Sequence, residues 1–269
     1  MTKRVIAFDI GGTSIRCSTV EDNKLLEYFK IPTPKNKKDF LERIDELVKK
    51  FNSPKIAGIG IGIAGVIENG VVKNSPNIGL KNFNIKSYLE KKYHKKVFVS
   101  NDVNCFALAE SVLGNKSKNF ILVAFGTGVG GGIVIDGKTY RGSGYGAEFG
   151  HMYIGPEYWE TTWQNIRKKI RKEYGDNILF KELIKMKTPR ANRLIDEVTD
   201  CIGMGIASLV SAFDPEVVII GGGIREAGIP FLNAIKKKTK KYSFLPKTTP
   251  IVWTALEHPG TLGASLLVK

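Results

Sequence analysis

Two stretches of this sequence, AFDIGGTSIR at residues 7–16 and AFGTGVGGGIV at residues 124–134, decide its fold. Each continues an apolar run through Ala-Phe, turns at glycines and leads into a second apolar segment. Alternating and β-branched residues on both sides of the glycines predict two strands joined by a glycine hairpin. Solenoid repeats recur about every 20 to 50 residues, so a repeat as widely separated as this one indicates two similar lobes.

The rest of the chain alternates between helical and strand patterns. Apolar residues recur at helical spacing over 38–51, the region from about 158 to 212 is typical of helix, and HPGTLGASLLVK at the C-terminus predicts a short helix. KIAGIGIGIAGVIENGVV and DPEVVIIGGGI are typical of strands with glycine turns, and Asn69-Gly70 is a hairpin signal. These patterns predict an α/β protein.

Composition excludes several classes of protein. The chain has 269 residues, 42% of them hydrophobic, which is enough for a full core. The N-terminal apolar run is far shorter than the roughly 20 residues of a membrane span. Cys17, Cys105 and Cys201 include no C-x-x-C pair, which suits a cytoplasmic protein without a disulfide framework or zinc ribbon. The net charge of +15 lies mostly in lysine clusters that look like solvated helix faces, and no known nucleic-acid-binding module is present, so we expect no nucleic-acid partner. The short N-terminal apolar run leads us to expect no membrane partner.

Three matches to nucleotide-binding patterns fail on their context. GIVIDGKT at residues 132–139 has the spacing of a phosphate loop, but its variable residues include three successive β-branched side chains, which favour a strand, and Asp136-Gly137 favours a hairpin turn. The two G-x-G-x-x-G matches, at 60–65 and 126–131, also lead into strands. Because a true phosphate loop or dinucleotide fingerprint opens a helix, we interpret all three matches as accidental and expect no Rossmann dehydrogenase.

The glycine hairpins offer another way to hold phosphate. FDIGGTS and FGTGVGG can each present backbone N–H groups on the concave side of a tight turn, where the missing Cβ atoms let oxygens approach. The alternative is that the glycines only form bulges or tight turns. Two such hairpins in a repeated context, each with a threonine, favour phosphate binding.

One carboxylate, Asp102, lies where a ligand-binding residue is expected. Ser100, Asn101 and Asp102 follow a buried strand and precede a helix, a position that the sequence alone explains as an ordinary helix N-cap. The same position is at the carboxyl end of a strand, where α/β sheets place their ligands.

Seven segments carry a resemblance to a known family: AFDIGGTSIR, GIGIAGVI, SPNIG, SNDVNCFALAE, FGTGVGGGIVIDGKTYRGSGYGAEFGH, DPEVVIIGGGI and GTLGAS. In this order, and over nearly the whole chain, they resemble the ROK family of sugar kinases and repressors, within the actin-like, ribonuclease H-like ATPase superfamily. The resemblance implies a two-lobed α/β fold in which each lobe is a mixed sheet flanked by helices. Residues 1–113, with a C-terminal helix at 256–269 packing back on them, would form the small lobe, and residues 114–255 the large lobe.

The resemblance also implies the residues that bind ATP and a hexose. Mg²⁺ would lie near Asp9, held through water, and Asp102 would act as the base that accepts the proton of the sugar hydroxyl. The phosphates would be bound by Gly11, Gly12, Thr13, Gly126, Thr127 and Gly128, and the adenosine by Gly221 and Gly222. The sugar would be bound by Gly65, Asn77, Asn101, Asp102, Glu148, His151 and Glu160.

The sequence departs from the family after His151. Most members continue into a cysteine-rich zinc loop of the form C-x-C-G-x-x-G-C and then a glutamate that contacts sugar, whereas the next cysteine here is Cys201. One histidine without thiolates cannot form a closed tetrahedral site, so we expect no structural zinc. Glu160 is expected to replace the glutamate, with Glu157 as the alternative. Three aromatic residues either replace the metal as a cluster or belong to an ordinary core: Tyr158, Trp159 and Trp163.

These features predict an ATP- and Mg²⁺-dependent kinase that phosphorylates the 6-hydroxyl of a hexose, with glucose as the leading substrate. N-acetylmannosamine or N-acetylglucosamine is the close alternative, because selectivity of this kind can rest on about 1–3 kcal/mol from a few side chains. A DNA-binding repressor is not expected, since the first strand begins within a few residues of Met1. A non-catalytic sugar-sensing regulator is the second alternative. The resemblance also implies a homodimer.

Overall fold

A computed structural model of the chain describes residues 3–268, which divide into two units. The first unit consists of the residues up to Lys116, the segment Lys138–Gly146 and the C-terminal segment from Leu256. The second unit consists of Ser117–Gly137 and Ala147–Ala255. Relative to the predicted lobes, this division assigns Lys138–Gly146 to the first unit.

Strands and helices alternate along the described residues. The strands are β1 (Arg4–Ile10), β2 (Ser14–Glu21), β3 (Lys24–Pro32), β4 (Ile56–Ile63), β5 (Val66–Glu68), β6 (Val71–Ser75), β7 (Leu80–Asn84), β8 (Val97–Asn101), β9 (Phe120–Phe125), β10 (Val129–Ile135), β11 (Lys138–Tyr140), β12 (Val217–Gly221) and β13 (Ile251–Trp253). The α-helices are α1 (Lys37–Phe51), α2 (Ile85–Tyr93), α3 (Asp102–Leu113), α4 (Trp159–Tyr174), α5 (Phe180–Met186), α6 (Pro189–Phe213), α7 (Gly228–Tyr242) and α8 (Pro259–Leu266). Short 3-10 helices cover Phe149–His151 and Gly223–Ala227.

Two sheets share one topology, as the repeated glycine stretches predict. One has the order β3-β2-β1-β4-β8, with β1 antiparallel to β2 and parallel to β4, which is parallel to β8. The other has the order β11-β10-β9-β12-β13, with β9 antiparallel to β10 and parallel to β12, which is parallel to β13. Each glycine stretch joins the antiparallel pair that includes the middle strand. The predicted α/β fold class with mixed sheets flanked by helices is confirmed.

The alternation of glycine and isoleucine in β4 has a packing cause. Successive side chains of a strand point to opposite faces of the sheet, and the isoleucines of β4 are buried in the core of the first unit. The glycines face α8 and α3 at close approach, so that a Cβ atom on Gly60 would lie 1.9 Å from the carbonyl oxygen of Ala264. The G-x-G-x-x-G match at 60–65 therefore serves helix packing, and it leads into a strand as the sequence predicts.

The predicted tight turns have the backbone conformation that their residues favour. Both residues of Asn69-Gly70 and both residues of Asp136-Gly137 have positive φ, as a two-residue hairpin of the primed type requires. The Asp136-Gly137 turn separates β10 from β11. The phosphate-loop pattern at residues 132–139 thus spans a strand, a turn and a second strand, and its interpretation as an accidental match is confirmed.

The predicted helical region from about 158 to 212 consists of three helices. The chain leaves α4 at Gly175, with φ of 92°, and leaves α5 at Lys187, with φ of 51°. Trp159 and Trp163 of α4 are fully buried and pack against Phe125 in the core of the second unit. Across residues 3–268, none of the helices combines the length and the apolar character needed to cross a bilayer.

Candidate active site

The first glycine turn, Gly11–Thr13, joins β1 to β2, and donors from the segment after β3 hold its carbonyl groups. Thr33 Oγ1 donates to Gly11 O at 2.7 Å, and Thr33 N donates to Thr13 O at 3.1 Å. Lys35 Nζ donates to Gly12 O. Each carbonyl of the turn therefore has a donor, which fixes the backbone conformation on which an anion-binding turn depends.

Asn77, a predicted sugar residue, lies beside this turn. Lys35 Nζ also donates to Asn77 O at 3.2 Å. A Cβ atom on Gly12 would lie 2.9 Å from Asn77 Cβ, so only glycine allows the two backbones to approach this closely. The fold thus places a predicted phosphate residue and a predicted sugar residue in contact.

Asp9, the residue predicted near Mg²⁺, is mostly buried, with a side chain 15% exposed. Its Oδ2 accepts a hydrogen bond from Arg16 Nη1 at 3.0 Å. Burial raises the pKa of Asp9, and the positive charge of Arg16 and the interaction with His258 oppose that rise. Gly260, in the first turn of α8, packs so closely that a Cβ atom there would lie 2.6 Å from Asp9 Cγ.

Asp9 fits the kind of ligand that Mg²⁺ takes in phosphoryl-transfer sites, and its role there stays a prediction. Mg²⁺ in phosphoryl-transfer sites keeps several waters and binds one or two carboxylates together with substrate phosphates. Asp9 supplies such a carboxylate. Within the described part of the chain, no three His, Cys, Asp or Glu side chains are grouped so that they alone could hold a metal ion.

Asn101, not Asp102, caps helix α3. Asn101 Oδ1 accepts hydrogen bonds from the backbone N–H groups of Val103 at 2.9 Å and Asn104 at 3.1 Å. Asp102 is the first residue of the helix, and its Oδ1 accepts from Val103 N at 3.0 Å. The N-cap is therefore Asn101, and Asp102 lies in the first turn of the helix, where the helix dipole favours a carboxylate. Its role as a base stays a prediction.

The register of the sheet brings Asp9 and Asp102 close together. Asp9 of β1 pairs with Gly62 of β4. A Cβ atom on Gly62 would lie 3.3 Å from Asp102 Cα and 3.0 Å from Cys105 Sγ, so this glycine lets α3 approach the sheet. Burial, followed by the charges of Asp102 and Asp9, raises the pKa of the Cys105 thiol, which lies near both carboxylates.

Other predicted sugar residues of the first unit gather at the start of α3. Asn101 Nδ2 donates to Gly65 O at 3.2 Å. Gly65 has φ of 124°, a conformation that favours glycine. Arg141 Nη2 donates to Ser100 Oγ in the same place, although no pattern in the sequence links this arginine to α3.

The second glycine turn, Gly126–Gly128, joins β9 to β10 and is held by one face of helix α4. Trp163 Nε1 donates to Gly126 O at 3.2 Å, and Arg167 Nη1 donates to the same oxygen at 2.6 Å. Glu160 Oε2 accepts from the N–H of Val129, the residue after the turn, at 3.0 Å. The three side chains follow the i, i+3, i+7 spacing of a single helix face.

Glu160 has a structural partner at each carboxylate oxygen. Besides Val129 N on Oε2, Gln164 Nε2 donates to Oε1 at 3.1 Å. A Cβ atom on Gly128 would lie 2.1 Å from Glu160 Oε2. Glu157, the alternative residue, accepts from Asn165 Nδ2 at 3.1 Å on the exposed side of α4. Contact of Glu160 with sugar stays a prediction.

The predicted sugar residues Glu148 and His151 lie close to Glu160. Burial raises the pKa of Glu148, His151 opposes the rise, and the charge of Glu160 adds to it. The ring of His151 meets the ring of Tyr158 edge-on at a centroid distance of 5.9 Å. The aromatic residues of this segment therefore divide, since Trp159 and Trp163 are core whereas Tyr158 remains 42% exposed.

The second unit also contains a cavity of about 180 Å³ next to the glycine turn. Its wall includes Gly126, Trp163 and Gly223. The predicted adenosine residues Gly221 and Gly222 are not part of that wall, because Gly221 ends β12 and a Cβ atom on Gly222 would lie 2.2 Å from the carbonyl oxygen of Phe125. A Cβ atom on either Gly126 or Gly223 would meet nothing within 4 Å, so both of these lining glycines leave open space. Binding of adenosine by Gly221 and Gly222 stays a prediction.

Comparison with known proteins gives consistent matches along the chain. A model of the ROK family matches residues 5–269. The glucokinase of Thermotoga maritima is 30% identical over 99% of this chain and 97% of its own length. The N-acetylmannosamine kinase of Vibrio cholerae is 29% identical over 82% of this chain and 84% of its own length. A ROK family glucokinase from Streptomyces griseus, solved in complex with glucose and AMPPNP, is 27% identical with a TM-score of 0.87, over 98% of each chain.

Proposed function

The chain belongs to the ROK family. From this premise we propose that it is an ATP- and Mg²⁺-dependent kinase that transfers the γ-phosphoryl group to the 6-hydroxyl of a hexose, with glucose as the leading substrate. The observation that carries the proposal is the pair of glycine turns, each with its carbonyl groups held by dedicated donors. Such turns suit the terminal phosphates of a nucleotide, because backbone N–H groups then remain fixed in space.

Different residues have separate roles in the proposed phosphoryl transfer. Asp102 accepts the proton of the sugar hydroxyl as the oxygen attacks the γ-phosphorus and the bond to the β,γ-bridging oxygen breaks. Gly11–Thr13 and Gly126–Gly128 bind the phosphate oxygens. When bound, Mg²⁺ supplies neutralisation of the charge on those oxygens, and the Asp9 carboxylate is the group that would hold it.

Asn101 and Gly65 shape the place where the hydroxyl is presented. The Asn101 amide binds the start of α3 and the carbonyl oxygen of Gly65, which fixes the backbone on both sides of Asp102. Neutral amides and carboxylates suit sugar hydroxyls, because each hydroxyl is both donor and acceptor. Asn77, Glu148 and His151 complete the proposed sugar-binding set.

A turnover assay across a panel of sugars tests the proposal. We expect ADP formation from ATP and Mg²⁺ that depends on sugar, with the highest kcat/KM for glucose among glucose, mannose, fructose, N-acetylglucosamine and N-acetylmannosamine. The product would be the 6-phosphate, identified by NMR. Sugar binding without ADP formation would instead assign the chain to the sugar-sensing alternative.

The segment after His151 is the reason to test N-acetylhexosamines as the alternative substrates. Here the chain closes through a bridge between Tyr153 and Tyr158, and Trp159 N donates to Met152 O at 2.8 Å. The family resemblance implies a zinc loop at this place in most members, and we therefore propose that the pocket wall near His151 has a different shape here. A higher kcat/KM for either N-acetyl sugar than for glucose would favour that alternative.

Two further properties accompany the proposed kinase. We place it in the cytoplasm, where ATP and phosphorylated sugars are handled and where its cysteines remain reduced. We also propose a homodimer. Sedimentation equilibrium at several protein concentrations would give twice the chain mass of 29.7 kDa for a dimer.

A further inference from the structure

Two arginines border the cavity beside the second glycine turn. Arg167 and Arg171 lie one turn apart on α4, and both contribute to the cavity wall. Arg167 Nη1 donates to Gly126 O at 2.6 Å and to Thr127 O at 3.5 Å. A guanidinium carries five N–H donors, so these bonds engage only part of the group.

Neither arginine is neutralised by a carboxylate. Over residues 3–268, no Asp or Glu lies within ion-pair distance of Arg167 or Arg171. Two acids do line the cavity, but Glu226 pairs with Lys181 at 3.2 Å and Asp176 pairs with neither arginine. Burial, and secondly the charge of Arg171, lowers the pKa of Arg167, which is the direction expected for a cation without an opposing charge.

Aromatic rings also line the cavity. The rings of Trp163 and Phe180 stack at a centroid distance of 5.6 Å, and the Arg167 guanidinium lies 5.8 Å from the centroid of the Trp163 ring. Gly223, which is also part of the lining, has open space at its Cβ position. A cavity lined by planar apolar rings and by two arginines without a carboxylate partner, beside a glycine turn, fits a molecule with a flat ring system and an anionic tail.

We propose that Arg167, assisted by Arg171, binds a phosphate of the donor nucleotide in this cavity. The inference rests on the proposed function, since it takes the ligand to be a nucleoside triphosphate. Arg167 then has two tasks: it holds the carbonyl group of Gly126, and its remaining donors bind the α- or β-phosphate of ATP. Arginine suits the second task because its planar fork can bind two phosphate oxygens at once.

Calorimetric titration with ADP and with adenosine separates phosphate binding from base binding. In Arg167→Gln we expect ADP affinity to fall about 10-fold or more, because hydrogen bonds to charged groups contribute more than neutral ones, while adenosine affinity stays within about twofold. Arg167→Lys keeps the charge, and its ADP affinity should stay within about threefold of wild type. Arg171→Gln should weaken ADP by about threefold.

Lys169→Gln is the matched control. It removes one positive charge from the same helix at an exposed side chain that pairs with Glu197, outside the cavity wall. ADP affinity should stay within about twofold of wild type, as for a surface charge. A loss as large as that of Arg167→Gln would show a general effect of net charge and overturn the inference.

Two other outcomes would also overturn it. Unchanged ADP affinity in Arg167→Gln would mean that Arg167 binds no phosphate of the nucleotide. Equal losses for ADP and adenosine would mean that the substitution disturbs the cavity as a whole. If Arg167→Gln fails to fold by circular dichroism, the comparison of Arg171→Gln with Lys169→Gln decides, and equal ADP affinities in those two variants refute the inference.

The same titrations distinguish failure of the inference from failure of the proposed function. Wild-type protein that turns over ATP with a sugar, while Arg167→Gln binds ADP normally, loses only the inference. Wild-type protein that forms no ADP with any sugar, while Arg167→Gln selectively loses ADP affinity, keeps the nucleotide site and loses the proposed kinase activity.

Discussion

The two glycine turns occupy equivalent places in sheets of the same topology, yet they are supported in different ways. Thr33 and Lys35, at the end of the neighbouring hairpin, hold the first turn. Side chains of helix α4 hold the second turn, with Glu160 on the residue after the turn and Trp163 and Arg167 on its first carbonyl group. The first support comes from the segment that follows β3, and the second comes from side chains of a helix.

The two turns therefore share their place in the sheet, whereas the side chains that support them differ. A phosphate-binding turn needs fixed N–H groups, and any donor that satisfies the carbonyl oxygens can provide that rigidity. Both turns are held in part by a cationic side chain, Lys35 at the first turn and Arg167 at the second. At the second turn a second arginine, Arg171, lies on the same helix, and phosphate binding is the role proposed for Arg167 with its assistance.

The largest expected effect comes from a residue that belongs to neither turn. Asp102→Asn should lower kcat by at least about 100-fold, because the amide cannot accept the hydroxyl proton. The steady-state assay with glucose and ATP measures the change. Asn101 still caps α3, so the circular dichroism spectrum and melting temperature should stay close to wild type. Retained activity would remove Asp102 from the mechanism and leave the two turns as the whole catalytic apparatus.

The next largest effect is expected from Gly60 of β4, the strand that pairs with β1 next to the first turn. Gly60→Ala should lower the free energy of unfolding by about 2 kcal/mol, because its Cβ atom would lie 1.9 Å from Ala264 O and α8 would have to move. Gly126→Ala, with nothing within 4 Å of its Cβ position, is the control and should change stability by less than about 0.5 kcal/mol. Urea denaturation measures both, and equal stabilities would contradict the packing explanation of β4.

Substitution of Glu160 tests whether its side chain supports the second glycine turn. If it braces the second turn, Glu160→Ala should raise the KM for ATP about 5- to 10-fold, since Val129 N loses its acceptor. Glu160→Gln keeps an acceptor oxygen and should stay within about twofold. A raised KM for glucose in both variants, with an unchanged KM for ATP, would instead assign Glu160 to the sugar, as the family resemblance predicts.

The smallest effect concerns the first turn alone. Lys35 is exposed, and its bonds to Gly12 O and Asn77 O are partly replaced by water when the side chain is shortened. Lys35→Met should raise the KM for ATP by about threefold, whereas Lys35→Arg should not. A change in the KM for glucose of equal size would show that the bond to Asn77 matters as much as the bond to the turn.

The sequence predicted those structural features that depend on residues close together along the chain. The glycine turns, the Asn69-Gly70 and Asp136-Gly137 hairpins and the rejection of the phosphate-loop pattern follow from residue types that favour one local backbone conformation. The repeat predicted two similar lobes, and the two sheets share one strand order. These are features that a segment of about ten residues largely determines.

The supports of the turns could not be predicted in the same way. Lys35 and Arg167 act on glycines that are distant in the sequence, and a charged residue in a loop or helix gives no signal of the carbonyl group it will bind. The packing role of the β4 glycines could not be predicted for the same reason, since their partner α8 lies at the other end of the chain. Gly223 lines the cavity, whereas Gly221 and Gly222 do not. Gly222 packs against the backbone of Phe125, and only the tertiary structure reveals this contact.

A crystal structure of the protein with glucose and a non-hydrolysable ATP analogue tests the central claim most directly. We expect the γ-phosphate to lie against both glycine turns and the sugar 6-hydroxyl to lie within hydrogen-bond distance of an Asp102 carboxylate oxygen. A triphosphate bound at the Asp136-Gly137-Lys138 turn, or anywhere remote from Asp102, would contradict it.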